Sequence, residues 1–171
     1  MAHCNGFPPI AAPDARVLVL GSMPSVASLN AQQYYGHERN TFWPIMGRLF
    51  GAWPELPYDE RQRVLCDHGV AVWDVLGECY REGSLDTSIE PESESANDFA
   101  TFFGEHPRIK AVFFNGSKAE AAFRRHVLPI VAELGREFHY TRLPSTSPAH
   151  AGRTFEQKLT AWRAVKRAAA R

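Results

Sequence analysis

Side chains able to do chemistry crowd a few short stretches of this 171-residue chain. The densest is Tyr34-Tyr35-x-His37-x-x-Asn40-x-Phe42-Trp43. An Asn carbonyl oxygen can hold a water, a Phe two residues later can stack a planar ring, and His37 can orient or donate to a neighbour. On residue type alone Asn40 suits a helix N-cap equally well, and Trp43 suits a core anchor better than a ligand contact. Asn115-Gly116 offers an amide donor and acceptor together, which can match the edge of a nucleobase or simply make a turn. Leu143-Pro144-Ser145-Thr146-Ser147-Pro148-Ala149-His150 joins two stiff prolines to three hydroxyls. Such a loop can contact phosphate or wedge into a duplex, and it can equally be an ordinary polar turn. Gly21-Ser22-Met23-Pro24-Ser25 combines close backbone approach with a rigid turn, as the wall of a tight pocket needs. Asp74 reads as a strand-end side chain bonded to backbone rather than as a catalytic group.

Other chemistries lack their signatures. There is no GxGxxG, no GxxxxGK[ST] and no HxE…PCxxC pattern. Cys4, Cys66 and Cys79 show no CxxC spacing, are odd in number, and are too few for a four-cysteine cluster. No metal or cofactor is therefore expected. A Cys–His dyad stays open, although nothing ties one of these thiols to a particular His.

The elements that must hold these stretches follow from periodicity. After a Pro-rich leader (1–14), Ala15–Leu20 is a nearly continuous apolar run that ends at Gly21, as a buried parallel strand does. The stretch 25–39 reads as loop. Phe42–Phe50 carries apolar residues at helical spacing, with Pro44 tolerated in the first turn and Gly51 as stop. Asp59–His68 reads as a helix capped by Asp59 and stopped by Gly69. Val70–Leu76 is a second strand, 77–91 a connection poor in regular signals, and Glu94–Glu105 a helix built on Phe99, Phe102 and Phe103. Ile109–Phe114 is a third strand. Lys118–Leu134 is helical with a break forced by Pro129, and on it Glu120 and Arg124 stand at surface-pair spacing. Glu137–Leu143 is a fourth strand, and Thr154–Ala170 a closing helix with Thr154 and Gln157 in capping-box register. Strands separated by helices imply βαβ crossovers. The expected fold is α/β: one domain over 1–171, three layers α/β/α, around a central four-stranded, mainly parallel sheet. In such sheets ligands bind beyond the carboxyl ends of the strands, where Gly21–Pro24, Trp73–Asp74, Asn115–Gly116 and Leu143–Pro148 fall.

The composition, 44% hydrophobic and 22% charged, is that of an ordinary globular chain. No apolar run reaches the ~20 residues of a membrane span, and the start lacks a signal-peptide pattern, so a cytoplasmic protein is expected. The net charge of zero hides an asymmetry. Residues 1–105 hold 6 Lys/Arg against 15 Asp/Glu, and residues 106–171 hold 13 against 4. A basic half can meet phosphates while an acidic half faces away, or a basic final helix can account for the split.

In order, these stretches resemble the uracil-DNA glycosylase superfamily over roughly residues 15–165. Gly21–Ser25 is similar to its GxxP[GS] motif, and H-x-x-N-x-F-W to the same segment of mismatch-specific uracil/thymine glycosylases. Phe113–Gly116 (FFNG) resembles a base-reading strand end, and LPSTSPA the late DNA-binding loop. The hypoxanthine-DNA (deoxyinosine) glycosylase branch is the best match, with GSMPS, YYxHxxNxFW, WDVL, SLD, NGxKA and PSTSPA all present. Many superfamily members place Asp or Asn where Met23 stands, and His or Asn where Leu143 stands. The resemblance implies that Asn40 takes the main polar role, with His37 beside it as the other catalytic residue. It implies base binding by Gly21, Ser22, Met23, Phe42 and Asn115, and DNA gripping by Ser145, Thr146, Ser147 and Pro148. The implied activity is hydrolysis of the N-glycosidic bond of a flipped deaminated base, most of all hypoxanthine, in base excision repair. The implied partner is DNA carrying that base, with no membrane, obligate protein partner, metal or cofactor, and the chain acting as a monomer. The alternatives are a uracil- or mismatch-specific glycosylase, a hydrolase of free nucleosides, and a damaged-DNA-binding module with weak chemistry.

Overall fold

The computed structural model describes residues 2–81 and 83–170. Four strands form a parallel sheet in the order β3-β2-β6-β7: β2 is Val17–Gly21, β3 Val70–Asp74, β6 Ala111–Asn115 and β7 His139–Leu143. Every residue of β2 and β3 is buried, although β3 lies at the edge of the sheet. That is the expected pattern of parallel strands covered on both faces. From β2 the chain crosses to β3 on one side and then returns past β2 to β6 and β7 on the other. Right-handed crossovers running in opposite directions put their helices on opposite faces. Helices α2 (Phe42–Phe50), α3 (Tyr58–Asp67) and the closing α7 (Phe155–Ala169) belong to one layer, with α2 packed on α7 and α3 on β3. The other layer holds α4 (Phe99–Glu105), α5 (Ser117–His126) and α6 (Leu128–Leu134). The reversal of strand order between β2 and β6 is the switch point at which such sheets open a crevice.

The three-layer expectation holds, with all four strands parallel. Phe42–Phe50 is a helix with the bounds expected, closed by Gly51 at φ +84°. The break forced by Pro129 falls at Val127, between α5 and α6. Thr154 and Gln157 form the reciprocal capping box at the start of α7.

Several boundaries differ. The stretch 25–39 contains a short helix, α1 (Val26–Ala31), which Ser25 caps by accepting the Ser28 N–H at 3.1 Å. Asp59 lies in the first turn of α3 rather than at its cap, since the helix begins at Tyr58 after Pro57. The fourth helix starts only at Phe99, capped by the Asp98 carboxylate.

The largest difference is a second, antiparallel sheet in the order β1-β4-β5, formed by Ala2–Asn5, Leu76–Arg81 and Ser95–Ala96. The leader is thus part of the fold: β1 pairs with β4, and Ile10 forms an isolated bridge to Val72. Two short 3-10 turns, Asp86–Ser88 and Pro91–Ser93, bridge β4 to β5. Glu94 then fastens this segment to α5 by an ion pair with Lys118 and a hydrogen bond with His126 Nε2, its own side chain only 1% exposed. Among the described residues no helix is long and apolar enough to cross a membrane.

Candidate active site

A cavity of about 320 Å³ opens at the carboxyl ends of β2, β3 and β6, at the small end of the ~300–1,000 Å³ range of ligand sites. Each of the three strands ends on a residue in its wall: Gly21, Asp74 and Asn115. The loop after β7 closes it with Ser145, Thr146 and Ser147, and the segment before α2 adds Tyr35 and Asn40.

The loop after β2 is held by its carbonyls. Val75 and Leu76 donate their N–H groups to the Gly21 and Ser22 oxygens at 2.8 and 3.1 Å, and the buried Arg81 guanidinium donates to the Pro24 oxygen. The Ser22 hydroxyl donates to Asp86 Oδ1 at 2.6 Å, so this side chain braces the wall. Met23 lines the cavity as an apolar surface.

The late loop is pinned through Thr146. Its N–H donates to Asn115 Oδ1 and its Oγ1 accepts from Asn115 Nδ2, both at 2.9 Å. Its carbonyl accepts from the Thr41 N–H at 3.0 Å and from the Thr41 hydroxyl at 3.3 Å. One residue thereby ties β6, the late loop and the start of α2 together. This corrects two expectations. Thr146 is 1% exposed with its polar groups engaged, so it cannot grip DNA from the surface. The Asn115 amide is committed first to this loop, and the capacity that remains lies close to the Tyr35 hydroxyl. Ser145 and Ser147 stay half-buried at the rim, each accepting a backbone N–H two residues on (3.1 and 3.2 Å), and Pro148 is exposed beside them.

Asn40 stands one residue before Thr41, the N-cap of α2, and so is not itself the cap. Its Oδ1 accepts the Phe42 N–H at 2.9 Å at the entry to α2, and its side chain lines the cavity. His37 does not line it. Its carbonyl accepts the Asn40 N–H and its Nδ1 accepts the Arg39 N–H, each at 3.0 Å, so it shapes the turn that presents Asn40.

Phe42 is likewise displaced from its expected role. The ring is fully buried, wedged edge-on against Trp43 and Trp162. Tyr35 stacks over it, 4.1 Å between centroids and 26° between planes, and Tyr35, with Tyr34, supplies the aromatic part of the wall. Tyr35 holds φ +55°, the left-handed region that a bulky residue rarely adopts.

Two groups were missed in the sequence. The Tyr35 hydroxyl and Asp74 Oδ2 are both buried without a hydrogen-bond partner. Gly21 makes room for them: a Cβ there would lie 2.5 Å from Asp74 Oδ1 and 2.8 Å from the Tyr35 hydroxyl. Burial pushes the Asp74 carboxyl up to about 7, the nearby Asp86 adding to the rise and Arg81 opposing it. Burial also raises the Tyr35 phenol. The available signal was the lone acid in the apolar run VAVWDVL, directly at a strand end. It did not make the expected bond, for it is the Asp74 carbonyl, not the carboxylate, that is tied, accepting from Asn97 Nδ2 at 2.8 Å. Among the described residues no cluster of His, Cys, Asp and Glu could hold a metal.

A profile of the uracil DNA glycosylase superfamily matches residues 8–166. A Methanosarcina barkeri protein named hypoxanthine DNA glycosylase is 32% identical over 159 residues, 92% of this chain and 94% of the relative. Its namesake from Methanosarcina acetivorans is 33% identical over 164 residues, 95% and 98% of the two chains. The solution structure of a candidate uracil DNA glycosylase from Methanosarcina acetivorans superposes with a TM-score of 0.80. It is 31% identical and covers 99% of this chain and 100% of its own. With the sheet order, the strand-end cavity and the whole-length match in agreement, this chain belongs to the uracil DNA glycosylase superfamily.

Proposed function

We propose that this chain is a monofunctional DNA glycosylase that removes hypoxanthine from DNA, the activity for which its Methanosarcina relatives are named. The observation that carries the reading is a nucleobase-sized cavity of mixed polar and apolar lining at the switch point, walled by Gly21, Asp74 and Asn115 and roofed by the pinned late loop. A base in a duplex reaches such a cavity only by flipping out, at an unstacking cost of a few kcal/mol that is smallest for a mispaired base. Ser145, Ser147 and Pro148, at the rim, meet the flanking phosphates, and the second groove beside the cavity adds Arg142 and Arg153. The flipped base lies against Tyr35, backed by Phe42, with Met23 and the Gly21–Ser22 backbone on its other side.

Breaking the N-glycosidic bond develops positive charge on the sugar and negative charge on the base. Asn40 holds the attacking water with the oxygen lone pair and amide group left free by its helix-entry bond. His37 positions Asn40. Backbone N–H groups of the Gly21–Ser25 loop face the developing charge in a site that excludes water. Hypoxanthine leaves more readily than adenine because its lactam delocalises the charge. The reaction so written uses one copy of the chain, no metal and no cofactor.

Single-turnover assays on duplexes carrying hypoxanthine, uracil, xanthine or a G·T mismatch, followed by alkaline scission, test the reading. Hypoxanthine should be released fastest, and Asn40→Ala should lower that rate by ~10²-fold or more while retaining duplex binding. Preferred release of uracil would move the assignment to the uracil-specific alternative. Binding of inosine-containing DNA without release would move it to a damage-recognition module.

A further inference from the structure

Among the described residues the buried side-chain atoms without a hydrogen-bond partner are the Tyr35 hydroxyl, Asp74 Oδ2 and two guanidinium nitrogens of Arg81, and the first two line the cavity. Leaving such groups unsatisfied is destabilising, and native folds rarely tolerate it outside functional sites. The backbone makes the arrangement deliberate. Only glycine at position 21 leaves space for both groups, Tyr35 is held at φ +55°, and the Asp74 peptide is anchored by Asn97. We propose that Asp74 is the general acid of the reaction, donating its carboxyl proton to a ring nitrogen or the lactam oxygen of the departing base, with the Tyr35 hydroxyl as a second hydrogen-bond donor beside it.

The assignment rests on the glycosylase reading and adds to it a source for the leaving-group proton. The balance closes without another reagent. The C1′–N9 bond breaks with its electron pair passing to the base, and the Asp74 proton neutralises that pair. Water adds its oxygen to C1′, and its surplus proton returns to the Asp74 carboxylate through solvent. Such an acid must be protonated near neutral pH. Burial and the neighbouring Asp86 on the 3-10 turn favour that form, while the phenols Tyr34 and Tyr35 from the loop after α1 and Tyr58 from α3, all raised by burial, add no positive charge beside it. Arg81 on β4 is the one opposing charge among the groups acting on it. Burial outweighs it, leaving the carboxyl at about 7.

The test is single-turnover release of hypoxanthine between pH 5.5 and 9, by the full chain and by Asp74→Asn. Affinity for a duplex bearing a non-cleavable 2′-fluoro deoxyinosine analogue and thermal melting accompany it. The wild-type rate should be level below pH ~7 and fall about tenfold per unit well above it. Asp74→Asn should melt cooperatively, bind the analogue within threefold of wild type, release base ~10²-fold more slowly at pH 6 and lose the break. A variant rate within threefold of wild type at pH 6, or the same break in the variant, overturns the assignment. Joint loss of binding and release also overturns it, marking Asp74 as structural. The wild-type profile needs no variant: a level rate through pH 8.5 overturns the general acid while leaving the glycosylase reading intact. Failure of the wild type to release hypoxanthine at any pH overturns both.

Discussion

Asp74 makes this protein's stability depend on pH in a direction opposite to that of most acidic side chains. A carboxyl in an unfolded chain ionises near ~3.9. In the folded chain burial raises Asp74 to about 7. Between those values the native state holds a proton that the unfolded state has released, so stability falls as pH rises through the window and levels off above it. At about 1.4 kcal/mol per unit, a shift of roughly three units amounts to ~4 kcal/mol, a ceiling on what this one group removes by pH 8. Asp74→Asn keeps the shape and abolishes the ionisation. The variant should therefore gain on the wild type by up to ~4 kcal/mol between pH 4 and pH 8, whatever constant offset the amide brings. At ~2–4 °C per kcal/mol for a chain of this size, melting temperatures should diverge by about 10 °C across the range.

Thermal or urea unfolding of both proteins at pH 4.5, 6 and 8, followed by circular dichroism, measures this difference. Asp86 is also raised by burial, against its bond from Ser22 and the Arg81 charge, but it titrates in both proteins and largely cancels. Parallel pH curves would refute the reasoning, because they would mean that Asp74 ionises normally in the native state. A residue that weakens the fold at neutral pH and could be replaced so simply is one that stability alone does not account for.

Three further outcomes follow from the geometry. Gly21→Ala drives a Cβ to within 2.5 Å of Asp74 Oδ1 and 2.8 Å of the Tyr35 hydroxyl, so it should cost ~1–3 kcal/mol in urea unfolding and abolish detectable base release. Thr146→Val strips the acceptor from Asn115 Nδ2 and should destabilise by ~1–3 kcal/mol, with release impaired even where the protein stays folded. Arg153→Ala and Arg142→Ala, in the groove beside the cavity, should each weaken binding to all duplexes alike and lower the slope of log affinity against log salt by ~1, as fluorescence anisotropy would show.

Periodicity located the parallel sheet and most of its helices because those elements bury continuous or amphipathic faces, and burial leaves a pattern in the chain. The second sheet escaped for the converse reason. Strand Leu76–Arg81 follows β3 after a single residue, and its partners Ala2–Asn5 and Ser95–Ala96 are too short to show alternation. Their pairing is a long-range fact that no local window contains. The same division runs through the site. Gly21, Asn40 and Asn115 are visible because glycine and amides at strand ends and helix entries are unusual in themselves. Thr146 and Phe42 were misplaced because hydroxyl and ring advertise contact without saying with what. In the fold the Thr146 hydroxyl meets Asn115 and the Phe42 ring meets Tyr35.

The roles of Tyr35 and Asp74 follow from that misplacement. A Phe buried to 0% cannot stack a ligand until something uncovers it, and what covers it is a tyrosine in a strained backbone conformation. The Asp74 carboxyl and the Tyr35 hydroxyl, each with an unpartnered atom, meet over Gly21, and the strained backbone is that of the same Tyr35. Packing alone would favour relieving each of them by an ordinary substitution, a glycine at position 35 or an amide at position 74. Their coincidence at one strand end is better explained by a ligand that supplies the missing hydrogen-bond partners when it enters. Such a ligand needs acceptors for both a phenol and a carboxylic acid, within the reach of one planar ring system. An oxopurine has them in its ring nitrogens and lactam oxygen.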